Sequence, residues 1–215
     1  MLDIACVHAD DALLVLDKPA GLLSVPGRGA DKQDCAAVRA QARWGDALIV
    51  HRLDMATSGL LLMARGAGMQ RQLSMAFEAR QVHKRYVAVV AGHLQGADGD
   101  WNEIDLPLMT DWPQRPRQIV DARGKPSLTR WRVLAHETDA QGRAQTRLEL
   151  EPVTGRSHQL RVHLQSIGHP ILGDALYADA PTQARSARLL LHASALSLQH
   201  PLDGAAKHWR SPPPF

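Results

Sequence analysis

Apolar residues along this chain recur at two periods, and the places where the period changes divide it into strands and helices. Val7 to Leu16 is apolar on both sides of Asp10-Asp11, which predicts a hairpin with the two acids at its turn. Gly and Pro in Lys18-Pro19-Ala20-Gly21 and in Pro26-Gly27-Arg28-Gly29 then predict a loop. Residues 35–44 read as helix. Leu48–Leu53 and Leu60–Ala64 read as two short strands joined by a loop that holds Asp54, Met55, Ala56, Thr57, Ser58 and Gly59. From Met69 onward, Met69, Leu73, Ala76 and Phe77 form one helical stripe that ends near Arg80. The following stretch, Arg85–Ala91, is apolar on both faces and is expected at the centre of a sheet.

In the second half, Pro107, Pro113, Pro116 and Pro126 predict a long surface loop over 105–126 without regular structure, a kind of segment that often carries function. Leu128–Leu134 and Thr146–Glu151 alternate charged with apolar residues, as antiparallel strands do. After Gly155 the period lengthens: Leu160, Leu164 and Ile167 share one helical face, and His158, Arg161, Val162 and Gln165 share the opposite, less apolar one. An apolar strand near Leu189–Leu198 and the prolines 212–214 close the chain. The pattern is mixed α+β, dominated by antiparallel strands. No repeat or linker divides it, so it reads as one unit with at most two lobes.

Composition narrows the class. With 215 residues, 45% hydrophobic and 22% charged, the chain can bury a sizeable core, and this excludes a disordered or disulfide-stapled scaffold. The longest wholly apolar run, Tyr86–Ala91, is far too short to cross a bilayer, so no membrane partner is expected. Met1-Leu2-Asp3 places an acid where a signal peptide carries basic residues, and a cytoplasmic location is expected. Cys6 and Cys35 have no paired spacing, which excludes a cysteine metal site and argues against a disulfide.

Net charge is only +3, yet its distribution is uneven. Arg115, Arg117, Arg123, Lys125, Arg130 and Arg132 stand against only Asp111 and Asp121 between residues 110 and 132. Arginine supplies 20 of the 25 basic residues, and its planar fork suits phosphates and stacked bases. Taken alone, a solvated basic face accounts for this run.

Several reaction classes lack their sequence support. There is no Walker loop, dinucleotide fingerprint or H-E-x-x-H pair, and Ser58 lacks the G-x-S-x-G elbow of a serine nucleophile. His158 and His163 are five apart rather than at helical zinc spacing, so most histidines read as structural hydrogen-bonders. What remains is His51-Arg52-Leu53-Asp54, a charged patch at the end of an apolar strand. A lone Asp54 is accounted for by a turn ahead of Thr57-Ser58-Gly59.

Other segments change that balance. Val50-His51-Arg52-Leu53-Asp54-Met55-Ala56-Thr57-Ser58-Gly59 resembles the central motif of the RluA-type pseudouridine synthases, His-Arg-Leu-Asp, two variable residues, Thr-Ser-Gly. Lys18-Pro19-Ala20-Gly21-Leu22 and Lys84-Arg85-Tyr86 resemble two further elements of that family. Gly155 to His163 and Gly168-His169-Pro170-Ile171-Leu172-Gly173-Asp174 resemble two more, in the right order, across about residues 12 to 198. Ser24-Val25-Pro26-Gly27-Arg28, Leu106-Pro107-Leu108 and Asp111-Trp112-Pro113 are similar to the branch that modifies both 23S rRNA and tRNA.

The resemblance implies an α+β fold with a mixed, mainly antiparallel central sheet and two lobes flanking an active-site cleft. It also implies one catalytic domain over 1–215, no S4-type domain in front, and RNA held by that domain alone. The reaction is the cofactor-free isomerisation of uridine to pseudouridine. Asp54 is the essential carboxylate, Arg161 its charge partner, and Tyr86 the base that takes the proton, against a core-packing role for Tyr86. Arg52 fills the space left by the flipped base, against a surface salt bridge, and Leu191 packs on that base, against a plain core role. Trp112, Arg115, Arg117, Arg123 and Lys125 are candidates for RNA backbone and stacking contacts. Two other readings stay open at this point: an RNA-binding or folding protein whose site is silent, and a hydrolase using Asp54 with an unrecognised acid.

Overall fold

The computed structural model describes residues 4–96 and 100–215. In chain order the first half holds β1 (Ala5–Ala9), β2 (Leu13–Lys18), α1 (Ala36–Arg43), β3 (Ala47–Ile49), β4 (Ser58–Arg65), α2 (Gly66–Glu78) and β5 (His83–Ala91). The second half holds β6 (Asn102–Asp105), β7 (Leu108–Thr110), β8 (Gln118–Val120), β9 (Leu128–Thr138), β10 (Ala144–Pro152), α3 (Gln159–Ser166), α4 (Ala180–Gln183), β11 (Leu191–Gln199) and β12 (Ala206–Arg210). Pairing is mostly antiparallel, with a parallel step between β4 and β11, and the class is α+β as the sequence pattern predicts. Residues 1–84 with 192–214 form one compact unit, and residues 85–191 with Phe215 form a second.

In the first unit, Asp10 makes the β1–β2 turn by accepting the backbone N–H groups of Ala12 and Leu13 at 2.8 and 2.9 Å. β2 pairs with β4 from Leu13↔Ala64 to Lys18↔Gly59, and both strands are almost wholly buried. Leu73 of α2 is buried against Leu13, Val15, Leu60 and Leu62, with Met69, Ala76 and Phe77 packed beside it, so the helical stripe covers the sheet. Burying a leucine of this kind stabilises the fold by about 2 kcal/mol. Both cysteines are free thiols, and Cys35 Sγ caps α1 by accepting the Val38 N–H.

Two strand boundaries differ from the sequence pattern. The strand expected to reach Leu53 ends at Ile49, because the His51 side chain rather than a backbone carbonyl takes the Leu62 N–H, 2.9 Å away. The strand expected from Leu60 begins at Ser58, which absorbs Gly59 into β4. Gly59 has a φ of 106°, and a Cβ there would lie 2.3 Å from the carbonyl oxygen of Ala193 on β11. Only glycine permits that approach.

In the second unit, β5 pairs with β10, β10 with β9, and β9 with β6. Tyr86 to Val90 of β5 are buried, which bears out the central position expected for this strand. Residues 105–126 depart from the expected loop: Leu108–Thr110 and Gln118–Val120 pair as a two-stranded hairpin. All four prolines lie outside the paired residues, so none removes a ladder donor. α3 also departs from its pattern, since Gln159 to Leu164 are all buried and Arg161 faces no solvent. No helix among the described residues is long and apolar enough to cross a membrane.

Candidate active site

Asp54 lies in the irregular stretch between β3 and β4, half-buried, between two backbone anchors. On one side, the buried Ser24 hydroxyl donates to the Leu53 carbonyl at 2.7 Å and accepts the Leu53 N–H at 3.0 Å. On the other, the Met55 carbonyl accepts the Gly21 N–H at 2.8 Å and the Lys18 ammonium at 3.2 Å. Lys18 is wholly buried and also donates to the carbonyls of Pro19 and Leu22 at 2.9 and 2.7 Å. Its three N–H bonds therefore meet three carbonyls, which offsets much of the cost of burying the charge. The Thr57 N–H closes a turn on the Asp54 carbonyl at 3.1 Å, so the simple turn geometry is present as well. Arg52 and Met55, flanking this segment, are exposed.

The neighbouring histidines are structural. His51 stacks on Phe77 with ring centroids 4.6 Å apart. Burial, and then the nearby Lys84, push its pKa down to about 3, which leaves Nε2 free to accept the Leu62 N–H at neutral pH. Burial lowers the pKa of Lys84 itself. Behind β4, Ser211 donates to Asp17 at 2.6 Å and so accepts from His192 Nε2 at 3.0 Å. That leaves His192 Nδ1 to accept the Ser58 hydroxyl at 2.8 Å. This buried chain pins the strand that follows Asp54.

The second unit carries Tyr86, Arg161, Leu191 and the basic hairpin. Arg161 donates to both oxygens of Asp174 at 2.8 and 2.7 Å, with the two side chains 5% and 0% exposed. A two-point contact of this kind fixes the plane of the guanidinium as well as its charge. Asp174 also accepts the N–H groups of Leu176 and Tyr177. In the sequence Asp174 stands in a motif with no role attached, and Tyr177 carries no signal. Nothing in local periodicity marks either one. Tyr86 is 8% exposed opposite Leu150, and Leu191 is 3% exposed.

The hairpin tip presents Trp112, 64% exposed, with the Arg115 guanidinium 3.5 Å from the centre of its ring. Half of the basic run is already engaged: Arg123 pairs with Asp121, Arg130 with Glu103 and Arg132 with Glu149. The positive charge offered by this segment therefore falls on Arg115, Arg117 and Lys125. The Arg123 side chain stays 81% exposed despite its ion pair.

A backbone-anchored aspartate in the first unit, and a two-point-held arginine and an exposed cationic tip in the second, are the features the sequence pattern ties to an RNA-modifying enzyme. A family model described as RNA pseudouridylate synthase matches residues 12–166, and the chain belongs to that family. It is an RNA pseudouridine synthase, an isomerase. Its relatives include the dual-specificity RNA pseudouridine synthase RluA of Escherichia coli K12, 43% identical over 213 residues, or 99% of this chain and 94% of that one. The Pasteurella multocida protein of the same description is 46% identical over 215 residues, 100% of this chain and 94% of that one. Among solved structures, human RNA Pseudouridylate Synthase Domain Containing 1 matches with a TM-score of 0.81 at 28% identity, covering 99% of this chain and 84% of that one.

Proposed function

We propose that the protein converts specific uridines in both 23S rRNA and tRNA stem-loops to pseudouridine, in the cytoplasm, as one catalytic domain without a cofactor. The dual specificity is supported by identities of 43 to 48% over 94 to 100% of this chain, and 79 to 94% of the relatives, to proteins described in those terms. The observation that carries the chemistry is the double anchorage of Leu53 and Met55, which fixes the carboxylate between them.

Isomerisation breaks the N1–C1′ bond, turns the uracil and forms a C5–C1′ bond. The proton leaves C5 and one is gained at N1, so no electron or energy source is consumed. Asp54 acts as nucleophile at C1′, by assisting departure of the base, or by attack at uracil C6. Arg161, its guanidinium held in one plane by Asp174, is the charge partner that the family resemblance assigns to Asp54. Tyr86 takes the proton from C5. An unperturbed phenol, of pKa about 10, is a poor base at neutral pH, so this role requires tuning or a proton relay.

The target must leave the stack, at a cost of a few kcal/mol. Arg52 fills its place, Leu191 packs on the extruded base, and Trp112, Arg115, Arg117 and Lys125 hold the backbone. The test is tritium release from RNA labelled at uridine C5, using tRNA and 23S rRNA transcripts in EDTA. Release by wild type and none by Asp54→Ala, without free uracil, supports the reading. Free uracil would instead indicate a hydrolase, and RNA binding without release a silent site. Tyr86→Phe should bind RNA and lose turnover, and normal turnover would remove Tyr86 from its role as base.

A further inference from the structure

Tyr177 follows Asp174 by three residues across a turn and is 6% exposed, and the reaction as derived gives it no part. It nevertheless joins two pieces of the second unit. Its hydroxyl accepts the N–H of Gln118, the first residue of β8, at 2.8 Å. The same oxygen lies 2.6 Å from His158 Nδ1, at the start of α3. Its ring centre lies 5.0 Å from the Arg161 guanidinium and 5.6 Å from that of Arg117. Beside it, Leu108 of β7 and Val162 of α3 complete a small buried cluster. The base of the hairpin and the helix that carries Arg161 therefore rest on one side chain.

The backbone at His158 adds a second, independent observation. Its φ of 55° and ψ of 15° are left-handed, a region that costs a residue with a side chain about 1–2 kcal/mol. Such a conformation persists where its surroundings over-determine it. The contact with Tyr177 is one such constraint, and it sits three residues ahead of Arg161.

We infer that Tyr177 is a positioning residue that couples the seating of the basic hairpin on RNA to the orientation of Arg161. This rests on the proposed RNA-binding role of the hairpin. Engagement of the tip draws on the Gln118–Tyr177 bond, and the same ring and hydroxyl hold the first turn of α3. An RNA that fails to engage Arg115 and Trp112 then meets a less well-ordered Arg161. The hairpin contributes in this way to turnover of correct substrates as well as to affinity.

Three variants test this. Tyr177→Phe keeps the ring and loses both hydroxyl contacts; it is expected to raise KM for RNA about fivefold, with a smaller change in kcat. Tyr177→Leu also removes the ring beside Arg161 and is expected to lower kcat at least tenfold, with Tyr177→Phe restoring most of that loss. Arg115→Ala should cost less in the Tyr177→Phe background than in wild type, because the two act through one path. Full additivity, or equal kcat in Tyr177→Leu and wild type, overturns the coupling.

Hydrogen exchange without RNA gives a readout that does not depend on activity. Tyr177→Phe should speed exchange in residues 108–120 and in the first turn of α3 together. Faster exchange in the hairpin alone, or in neither, also overturns it. If wild type releases no tritium, or Arg115→Ala leaves KM unchanged, it is the RNA reading that fails, and the exchange result still decides whether the two elements are coupled.

Discussion

Replacing Ser24 with alanine removes the whole anchor on the Leu53 side of Asp54 while touching neither the carboxylate nor the expected path of RNA. Ser24 is 3% exposed and Leu53 is 5% exposed, so water does not readily replace the lost hydroxyl. Two bonds disappear, of 2.7 and 3.0 Å, leaving the Leu53 carbonyl and N–H both unsatisfied. At about 1–2 kcal/mol for each buried group, the fold should lose about 2–4 kcal/mol. The Met55 anchor persists, so the segment loosens rather than detaches. A displacement of the carboxylate by about 1 Å costs on the order of a hundredfold in rate. The expected result is a kcat reduced about 10- to 100-fold, with KM within about threefold of wild type, since positioning is lost and RNA contacts remain. Tritium release at saturating RNA reads the first effect, and urea unfolding at the same temperature reads the second. Ser24→Thr retains the oxygen and should recover most of both. A kcat within twofold of wild type, alongside the expected fall in stability, would refute the argument that this anchor positions Asp54.

Asp174→Ala leaves Arg161 buried without its two-point partner and should destabilise the protein by about 3–5 kcal/mol, measured by urea unfolding, with a matching loss of turnover. His51 gives a pH dependence whose sign follows from its lowered pKa of about 3 against 6.5 unfolded. The unfolded chain gains a proton first, so stability present above pH ~6.5 is lost as pH falls toward ~3, about 2 kcal/mol of it between pH ~7 and ~5. Unfolding of His51→Gln over the same range should show a flatter profile. Gly59→Ala should cost about 3 kcal/mol or more and lower the yield of folded protein, because the new methyl meets the Ala193 backbone at 2.3 Å. Arg115→Ala and Lys125→Ala should each reduce the slope of log affinity against log salt by about one, in filter binding across several salt concentrations.

The sequence made Asp54 legible because its neighbours form a recognisable string, and it made β2, β4 and β5 legible because each is apolar on both faces. What it concealed has a common physical cause. Ser24 and Lys18 act through backbone carbonyls, and a carbonyl acceptor leaves no trace in residue identity. Asp174 and Tyr177 act on Arg161 across a turn, where neither strand nor helix periodicity applies. The helical pattern placed Arg161 on a less apolar face, yet its bond to Asp174 allows that face to be buried. The hairpin at 108–120 was obscured by prolines that flank its pairs without entering them. The early end of β3 was obscured by a histidine that stands in for a backbone acceptor.

The buried chain from Asp17 through Ser211 and His192 to Ser58 also bears on the order in which the molecule can be made. The unit that holds Asp54 draws on residues 192–214 as well as 1–84, whereas the other unit is almost wholly continuous. A ribosome therefore delivers every residue of 85–191 before the partners of Asp17 and Ser58 exist. β4 spends that interval without β11 beside Gly59, and the strand behind the carboxylate stays unpinned. Fragments ending before His192 should accordingly resist protease in 85–191 and be cut readily around Asp54. The reactive centre becomes rigid late in synthesis, after the scaffold for Arg161 has already formed.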